Sequence, residues 1–600
     1  FLAMDQLGQA LNKSTPGRYT SQLLEFYKAA PWALSFLSGY QFKKHLDTNR
    51  KDPHVRGALK RSSLGWLPRK NIQNYRLDLA TSAPNAKLRS LMDMFFDGNG
   101  EELLWMPPSM PYYPLSGSFI ERNTFTKSLL FSSWALVPRA LSGLISYEAE
   151  RRNLPKGSRR DYFDIKHNPS LRFEGKSSLD IWGLVYPSKT LIQMPLLITT
   201  QSVEELIMIR TALFKTQFLN VNDTDEEMTN TRYWFALAPM LLDVMNGHQK
   251  YVLSWFESEL SKAKEDGGRY KHLAKLQEHL EENIDLRQFP AYLSPYLAQL
   301  SIAGPAVCFA RMSQVFWPKT DINFDFISDM TMATMTMFNK PESDVILTKK
   351  YPQEKKSWQM VLSYCLEGNF QAMIDEYAHL LATSGFTLEE ASVRFKEVLG
   401  FRTSSVACQF EEDKNKYLTK SSGDRLDSTL RCHYAVPLGT QKVGDDNATQ
   451  RVNNIRDTFN SPFRPFVLNS TSIGQEGLDF HWYCSRIVHW NLPSNPIDIE
   501  QREGRINRYK SLVVRRRVAE VFSSDIYINL KAIDFYSSHD RWAILFKIAD
   551  QKTKDDRASD LVPYWHLPQG KAKIERIIPM MPMSKEVGRL NDALQILALY

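Results

Sequence analysis

Residues 463–509 read FRPFVLNSTSIGQEGLDFHWYCSRIVHWNLPSNPIDIEQREGRINRY, and the order of apolar and polar groups in this stretch sets the fold. Pro465–Asn469 is an apolar run of strand length, and Arg486–Trp490 is a second, centred on Ile487 and Val488. Runs that are apolar without strict alternation mark parallel strands buried on both faces. Asn495-Pro496 predicts a helix start, with Asn as the N-cap and Pro at the first helical position. Asp498 and Glu500 suit the positive end of that helix. Gly504 is expected to close it in the left-handed conformation, and Arg505 and Arg508 follow three residues apart.

Ser470-Thr471 through Gly474, Gly477, Leu478 and Asp479 resembles motif V of superfamily 2 helicases and translocases. Gln501-Arg502-x-Gly504-Arg505-x-x-Arg508 resembles their motif VI, and Asn491-Leu492-Pro493-x-Asn495-Pro496 between them is similar to the Swi/Snf-type branch. The alternative for the same residues is an ordinary parallel sheet with a basic helix end. The resemblance implies an α/β fold, a RecA-like parallel-sheet C-terminal ATPase lobe. It further implies ATP and Mg2+ as cofactors, with Arg505 and Arg508 facing the triphosphate and Gln501 touching the nucleotide or the first lobe. Gly477 and Asp479 would lie on the nucleotide, Asp479 at the ribose. Ser470 and Thr471 would meet the nucleic-acid backbone, taken here as DNA.

Lys127–Trp134 (KSLLFSSW) is a short apolar run ending in small polar residues, followed by an amphipathic helix pattern from about residue 135 to 152. It resembles motif IV, the first strand of such a lobe, and the resemblance adds Ser132 and Ser133 to the backbone contacts. The distance from Trp134 to Ser470 is far longer than a plain lobe needs. Residues 155–423 are therefore expected to be a mainly helical insertion with a possible protein partner, splitting the lobe into 84–154 and 424–525. Within the insertion, Thr387-x-x-Glu390 is a capping-box pattern, and Met330, Met332, Met335 and Met337 are read as core filling. Gly175-Lys176-Ser177 lacks the earlier glycine of a phosphate loop, since position 170 is Ser170. Asp375-Glu376-x-x-His379 is read as a solvated helix surface rather than a metal site.

Residues 1–83 read as a helical connector, with Asp47–Val55 a polar loop, and 526–600 as a helical C-terminal extension. Arg515, Arg516 and Arg517 form a basic cluster that is read either as solvated charge or as a phosphate contact. The chain opens on Phe1 and contains no G-x-x-x-x-G-K-[ST], so a first lobe holding the triphosphate and magnesium is expected upstream in the same polypeptide. The 600 residues alone are then expected to be inactive. Composition is globular, 43% hydrophobic and 24% charged, with a net charge of +8 that permits a polyanionic partner. Five scattered cysteines without a C-x-x-C pair argue against a zinc ribbon or a disulfide framework and suit a reducing cytoplasm. The apolar stretch near Leu297–Ala310 is broken by Gly304-Pro305, so no membrane span is expected. Two functions stay open: an ATP-dependent helicase or translocase, and a catalytically inactive nucleic-acid-binding scaffold whose insertion binds a partner.

Overall fold

The computed structural model describes residues 2–599 apart from 15–21, 156, 165–166, 168, 174–175, 195, 197, 218–232, 266, 282–289, 319–320, 355, 402–403, 414–427, 439–445, 472–477, 494, 532–538, 556, 558, 560–561 and 582–583. Seven strands are present among the described residues: β1 (Lys127–Ser132), β2 (Ser404–Cys408), β3 (Ser428–Cys432), β4 (Ala435–Leu438), β5 (Val467–Thr471), β6 (Cys484–His489) and β7 (Glu575–Ile577). Five of them make one parallel sheet in the order β4-β5-β1-β6-β7. β2 and β3 form a separate antiparallel pair.

The centre of the sheet is built from the apolar runs. Every residue of β1 and β5 is buried, as expected for strands covered on both faces. Their register sets Ser128 against Val467 and Ser132 against Thr471, so the two strands end side by side. On the other flank Phe131 pairs with His489. At the opposite end, the buried Lys127 ammonium donates to Phe463 O at 2.5 Å and to Thr458 O at 3.3 Å. Burial pushes its pKa well below the ordinary lysine value.

The edges depart from expectation. β4 carries Pro437 in a four-residue strand, which an edge tolerates because only one side of the strand must donate to the sheet. The segment 526–600, expected to be a helical extension, contributes β7 to the other edge. Arg486 Nε donates to Glu575 Oε2 at 2.6 Å, fixing that strand beside β6. The region expected to be a helical insertion likewise holds β2, which pairs with β3 across its far boundary.

The helix after β1 spans Leu136–Asn153 and is not amphipathic: most of its length is buried. It packs on β4, β5 and β3, and its polar residues are bonded inside. Ser142 Oγ accepts from Asn469 Nδ2 at 2.8 Å, Ser146 Oγ donates to Ala435 O at 3.1 Å, and Glu148 receives Arg151 and Arg152. The expected loop at Asp47–Val55 is short. Helices Gln41–Asn49 and Pro53–Arg61 flank it, and Asp52 caps the second by accepting from His54 N and Val55 N.

Residues between Pro155 and the β2–β3 pair are mainly helical. Met330, Met335 and Met337 are buried there, in agreement with core filling, and the capping box at Thr387 and Glu390 is formed. Leu293–Phe316 is long and apolar enough by composition to cross a membrane. It consists of two helices meeting at Gly304-Pro305, and 89% of its apolar window is buried inside the protein.

The Phe370–Thr383 helix is buried on all sides through Leu381. This overturns the reading of Asp375, Glu376 and His379 as a solvated surface. Buried charges require partners, and each has them. Asp375 accepts from Tyr112 OH at 2.7 Å and from Gln371 Nε2 at 2.8 Å. Glu376 accepts from Ser109 N and Oγ, both at 2.7 Å. His379 Nδ1 lies 2.6 Å from Asp540 Oδ2. No cluster of metal-ligating side chains occurs among the described residues.

Candidate functional site

The candidate residues fall into two groups, one at the ends of the central strands and one on the turn after the Pro496–Glu503 helix. Ligands of open α/β sheets sit beyond the carboxyl ends of the strands, and there Ser132, Ser133, Ser470 and Thr471 come together. Two of the four hydroxyls are committed internally. Ser132 Oγ donates to Asn491 Oδ1 at 2.7 Å and accepts from Trp134 N at 3.1 Å. The buried Ser470 Oγ donates to Thr471 O at 3.0 Å. Ser133 is exposed, and the Thr471 hydroxyl is buried with no hydrogen-bond partner among the described residues. The expected backbone contacts therefore narrow to Ser133 and Thr471. The Ser132–Asn491 bond ties the end of β1 to the Asn-Leu-Pro turn after β6.

The Pro496–Glu503 helix starts as expected. Asn495 caps it by accepting from Ile497 N at 3.1 Å, with Pro496 at the first position. Its end differs. Gly504 has φ −56 and ψ −20, right-handed rather than left-handed, because the chain continues into a turn in the same sense: Gly504 N donates to Glu500 O and Arg505 N to Arg502 O. The left-handed residue comes later, at Lys510, with φ 54.

Four side chains that the sequence reading left without a role hold this helix on the sheet. Arg502 is buried over the Phe131 ring, 5.2 Å from its centre, and donates to His489 Nδ1 at 3.3 Å. Glu503 takes both arms of Arg576 from β7, one at 2.9 Å, and lies 3.8 Å from His489 Nε2. Burial alone would raise the Glu503 carboxyl, but the His489 ring and the Arg576 guanidinium hold it down to about 2. Burial lowers the His489 pKa, against the pull of Glu503 and with help from Arg502. Arg502 stands inside the quoted Gln-Arg-x-Gly-Arg pattern, so its position could have flagged it; Arg576 had no such signal.

On the turn itself, Arg508 Nε donates to Asp479 Oδ1 at 3.3 Å, and the two side chains are 50% and 46% exposed. Arg505 is partly buried, and its Nε has no hydrogen-bond partner among the described residues. The Arg505 carbonyl accepts from Phe480 N at 2.9 Å, and Asn460 Nδ2 donates to Asp479 O at 2.7 Å. The backbone bond from Phe480 thus pins the arginine turn to the Asp479 segment, and the Asn460 side chain holds that segment from its other side. Gln501 is exposed. Gly474 and Gly477 lie outside the described residues.

The basic cluster does not lie on one face, and its first member is taken up inside the protein. Arg515 is fully buried: Nε donates to Glu376 Oε1 at 2.6 Å, Nη1 to Lys510 O at 2.6 Å, and Nη2 to Trp482 O. Arg516 donates to Phe125 O and Arg517 to Ala572 O at 2.7 Å. Arg515 spends all three nitrogens on protein acceptors and Arg516 and Arg517 each donate to a backbone carbonyl, because consecutive residues of the Leu512–Lys531 helix point about 100° apart and into different neighbours.

Available at the site are the Arg505 Nε and the Thr471 hydroxyl, both without a hydrogen-bond partner among the described residues, and the half-exposed Arg508–Asp479 pair. Guanidinium groups with free donors fit phosphate oxygens, and a carboxylate fits a sugar hydroxyl. Residues 439–510 match the family model described as "Helicase conserved C-terminal domain". No curated protein and no solved structure matched the chain. The matched span runs from the segment before β5 to just beyond Tyr509, and so contains both groups except Ser132 and Ser133. Residues 439–510 therefore carry a helicase-type C-terminal lobe, and the parallel five-stranded sheet with its covering helices fits an α/β RecA-like fold.

Proposed function

We propose that the chain supplies the second lobe of an ATP-dependent helicase or translocase acting on DNA in a reducing cytoplasm. The observation that carries this reading is the pinned turn that holds Arg505, whose Nε is unpartnered among the described residues, and the half-exposed Arg508 paired with Asp479. A first lobe with a phosphate-binding loop, absent from these 600 residues, would hold the triphosphate and Mg2+. Residues 155–423 are read as an insertion between the first strand and the rest of this lobe, with a surface for a protein partner.

Hydrolysis of the terminal phosphate, supplied by bound ATP, spreads negative charge over the transferred group. Arg505 and Arg508 would neutralise that charge, an effect of about 10³ to 10⁵ in rate for a positioned arginine. Gln501 would contact the nucleotide or the opposite lobe, and Gly477 and Asp479 the nucleotide, the latter at the ribose. Thr471 and Ser133, at the strand ends, would hold the DNA backbone. Opening and closing of the lobes would then couple grip to nucleotide state. The test is DNA-stimulated ATP hydrolysis by the full-length protein. Arg505→Ala lowers turnover by about 10³-fold while DNA affinity stays within threefold; wild-type turnover in the folded variant overturns the reading.

A further inference from the structure

Directly after Arg508 the chain exposes an aromatic group that this mechanism leaves unused. Tyr509 is 54% exposed, yet it is firmly held. Its ring packs on Trp565 with centres 5.2 Å apart at 48°, and its hydroxyl lies 3.4 Å from that of Tyr564. Trp565 meets Tyr564 edge-on at 5.0 Å, and Tyr564 meets Phe546, a buried residue of the Arg541–Thr553 helix, at 6.1 Å. Lys510 Nζ bridges the two ends of the row, 5.6 Å from the Tyr509 ring centre and 5.7 Å from that of Phe546. Four rings thus run from the core to the surface, and the outermost stands in solvent next to the half-exposed Arg508.

We propose that Tyr509, backed by Trp565 and Tyr564, is a stacking platform for a nucleobase. The proposal rests on the reading that Arg508 meets phosphate. Every base has a π-face on which an aromatic side chain can stack without regard to sequence. The exposed ring follows directly in the chain on the arginine that pairs with the Asp479 carboxylate, and a ring, a guanidinium and a carboxylate are the groups that match the three parts of a nucleotide: base, phosphate and sugar hydroxyl. The backing rings matter because a side chain already ordered loses little conformational freedom when a ligand arrives. The base is that of the nucleotide whose phosphates meet Arg508; a base of the bound DNA strand is the other source of the same chemistry.

The experiment measures equilibrium binding to the full-length protein and to its Tyr509→Ala, Tyr509→Phe and Arg508→Ala variants. The probes are ADP, pyrophosphate, a short single-stranded DNA and the same strand with abasic sugars. Tyr509→Ala is expected to weaken ADP by about 5- to 100-fold and to leave pyrophosphate unchanged, with Tyr509→Phe restoring most of the loss. Unchanged ADP with weakened DNA and unaltered abasic DNA keeps the platform and assigns it to the strand. Tyr509→Ala that changes neither ligand, or that weakens base-bearing and base-free ligands equally, overturns it. Arg508→Ala separates the two readings. It should weaken ADP and pyrophosphate alike; if it weakens neither, the phosphate reading fails, and the platform is judged on base against base-free binding alone.

Discussion

Arg515 Nε and Glu376 Oε1 are 2.6 Å apart, and neither side chain reaches solvent. The pair joins the helix that follows the arginine turn to the Phe370–Thr383 helix, 139 residues earlier. Because Arg515 also donates to the Lys510 carbonyl, the buried carboxylate reaches the end of the turn that carries Arg505 and Arg508. Lys510 Nζ adds a second tie to the same helix, donating to Thr383 Oγ1 at 3.0 Å.

Removing one partner of this pair leaves a charge in the core. Glu376→Ala should cost about 3–5 kcal/mol in urea unfolding. Arg517→Ala loses one bond to a backbone carbonyl and should cost about 1 kcal/mol. If the cluster were a phosphate patch, Arg517→Ala would instead lower the slope of log K against log salt by about 0.9 for duplex DNA. An unchanged slope with a small stability loss is the expected result.

Thr471 gives the opposite kind of test. Its hydroxyl is buried and makes no hydrogen bond among the described residues, so Thr471→Val removes a desolvated group without changing shape. Stability should stay equal or rise by up to about 1 kcal/mol. DNA-stimulated turnover should fall while basal turnover is kept, if the hydroxyl meets the strand when the lobes close. A variant that is stable and fully stimulated would take Thr471 out of the DNA contact.

The central strands were legible because a strand buried on both faces needs only an apolar run, and Leu129–Phe131, Val467–Leu468 and Ile487–Val488 supply one each. β7 was not legible: Glu575-Arg576-Ile577 has no apolar signal and is held by Arg486 and Glu503. The arginine run misled because composition was read without helical geometry. Three successive helix residues cannot share one face, and that signal was available. Its partner Glu376 was not, since a charge in a helical pattern is normally at the surface and only tertiary contacts show otherwise. At the site, the order of Asp479, Gln501, Arg505 and Arg508 was readable. That Ser132 and Ser470 spend their hydroxyls internally required the register of β1 against β5.

Acidification should destabilise the protein well above the carboxylate range. Burial lowers the pKa of His481 to about 4, that of His433 well below its ordinary value, and that of His489 below it. Each binds a proton in the unfolded chain at a higher pH than in the folded one, so stability is complete above about 6.5 and falls as pH drops through that value. His481 contributes at most roughly 3 kcal/mol between pH 6.5 and 4. Glu503 adds a second loss below about pH 4.3, as its carboxylate is protonated in the unfolded chain before the folded one. Urea midpoints from pH 7.5 to 4.5 check the first window, and His481→Gln should flatten it. Burial raises the Asp375 carboxyl to about 6, which acts in the opposite direction between pH 6 and 4.5, so the comparison of parent with His481→Gln carries the test: identical pH dependence of the two would contradict the burial of the His481 ring.

The Arg508–Asp479 pair separates function from scaffold because its geometry makes it a poor scaffold. At 3.3 Å and about half exposed on both sides, it is an ion pair of the kind that contributes about 0–1 kcal/mol. Arg508→Ala, Asp479→Asn and the double variant should therefore all unfold within about 1 kcal/mol of the parent. Turnover should divide them sharply. Arg508→Ala should lose about 10³ in DNA-stimulated ATP hydrolysis with DNA affinity retained. Arg508→Lys should recover little of it, since an ammonium cannot reproduce the planar fork. Asp479→Asn frees Arg508 from its one described partner and should act mainly on the KM for ATP, which a role at the ribose requires. If the pair only closed a surface turn, all four variants would turn over at the parent rate. A folded Arg508→Ala protein with parental turnover would remove the arginine from the mechanism, and a stability loss above about 2 kcal/mol in the same variant would make the pair a structural tie of the turn.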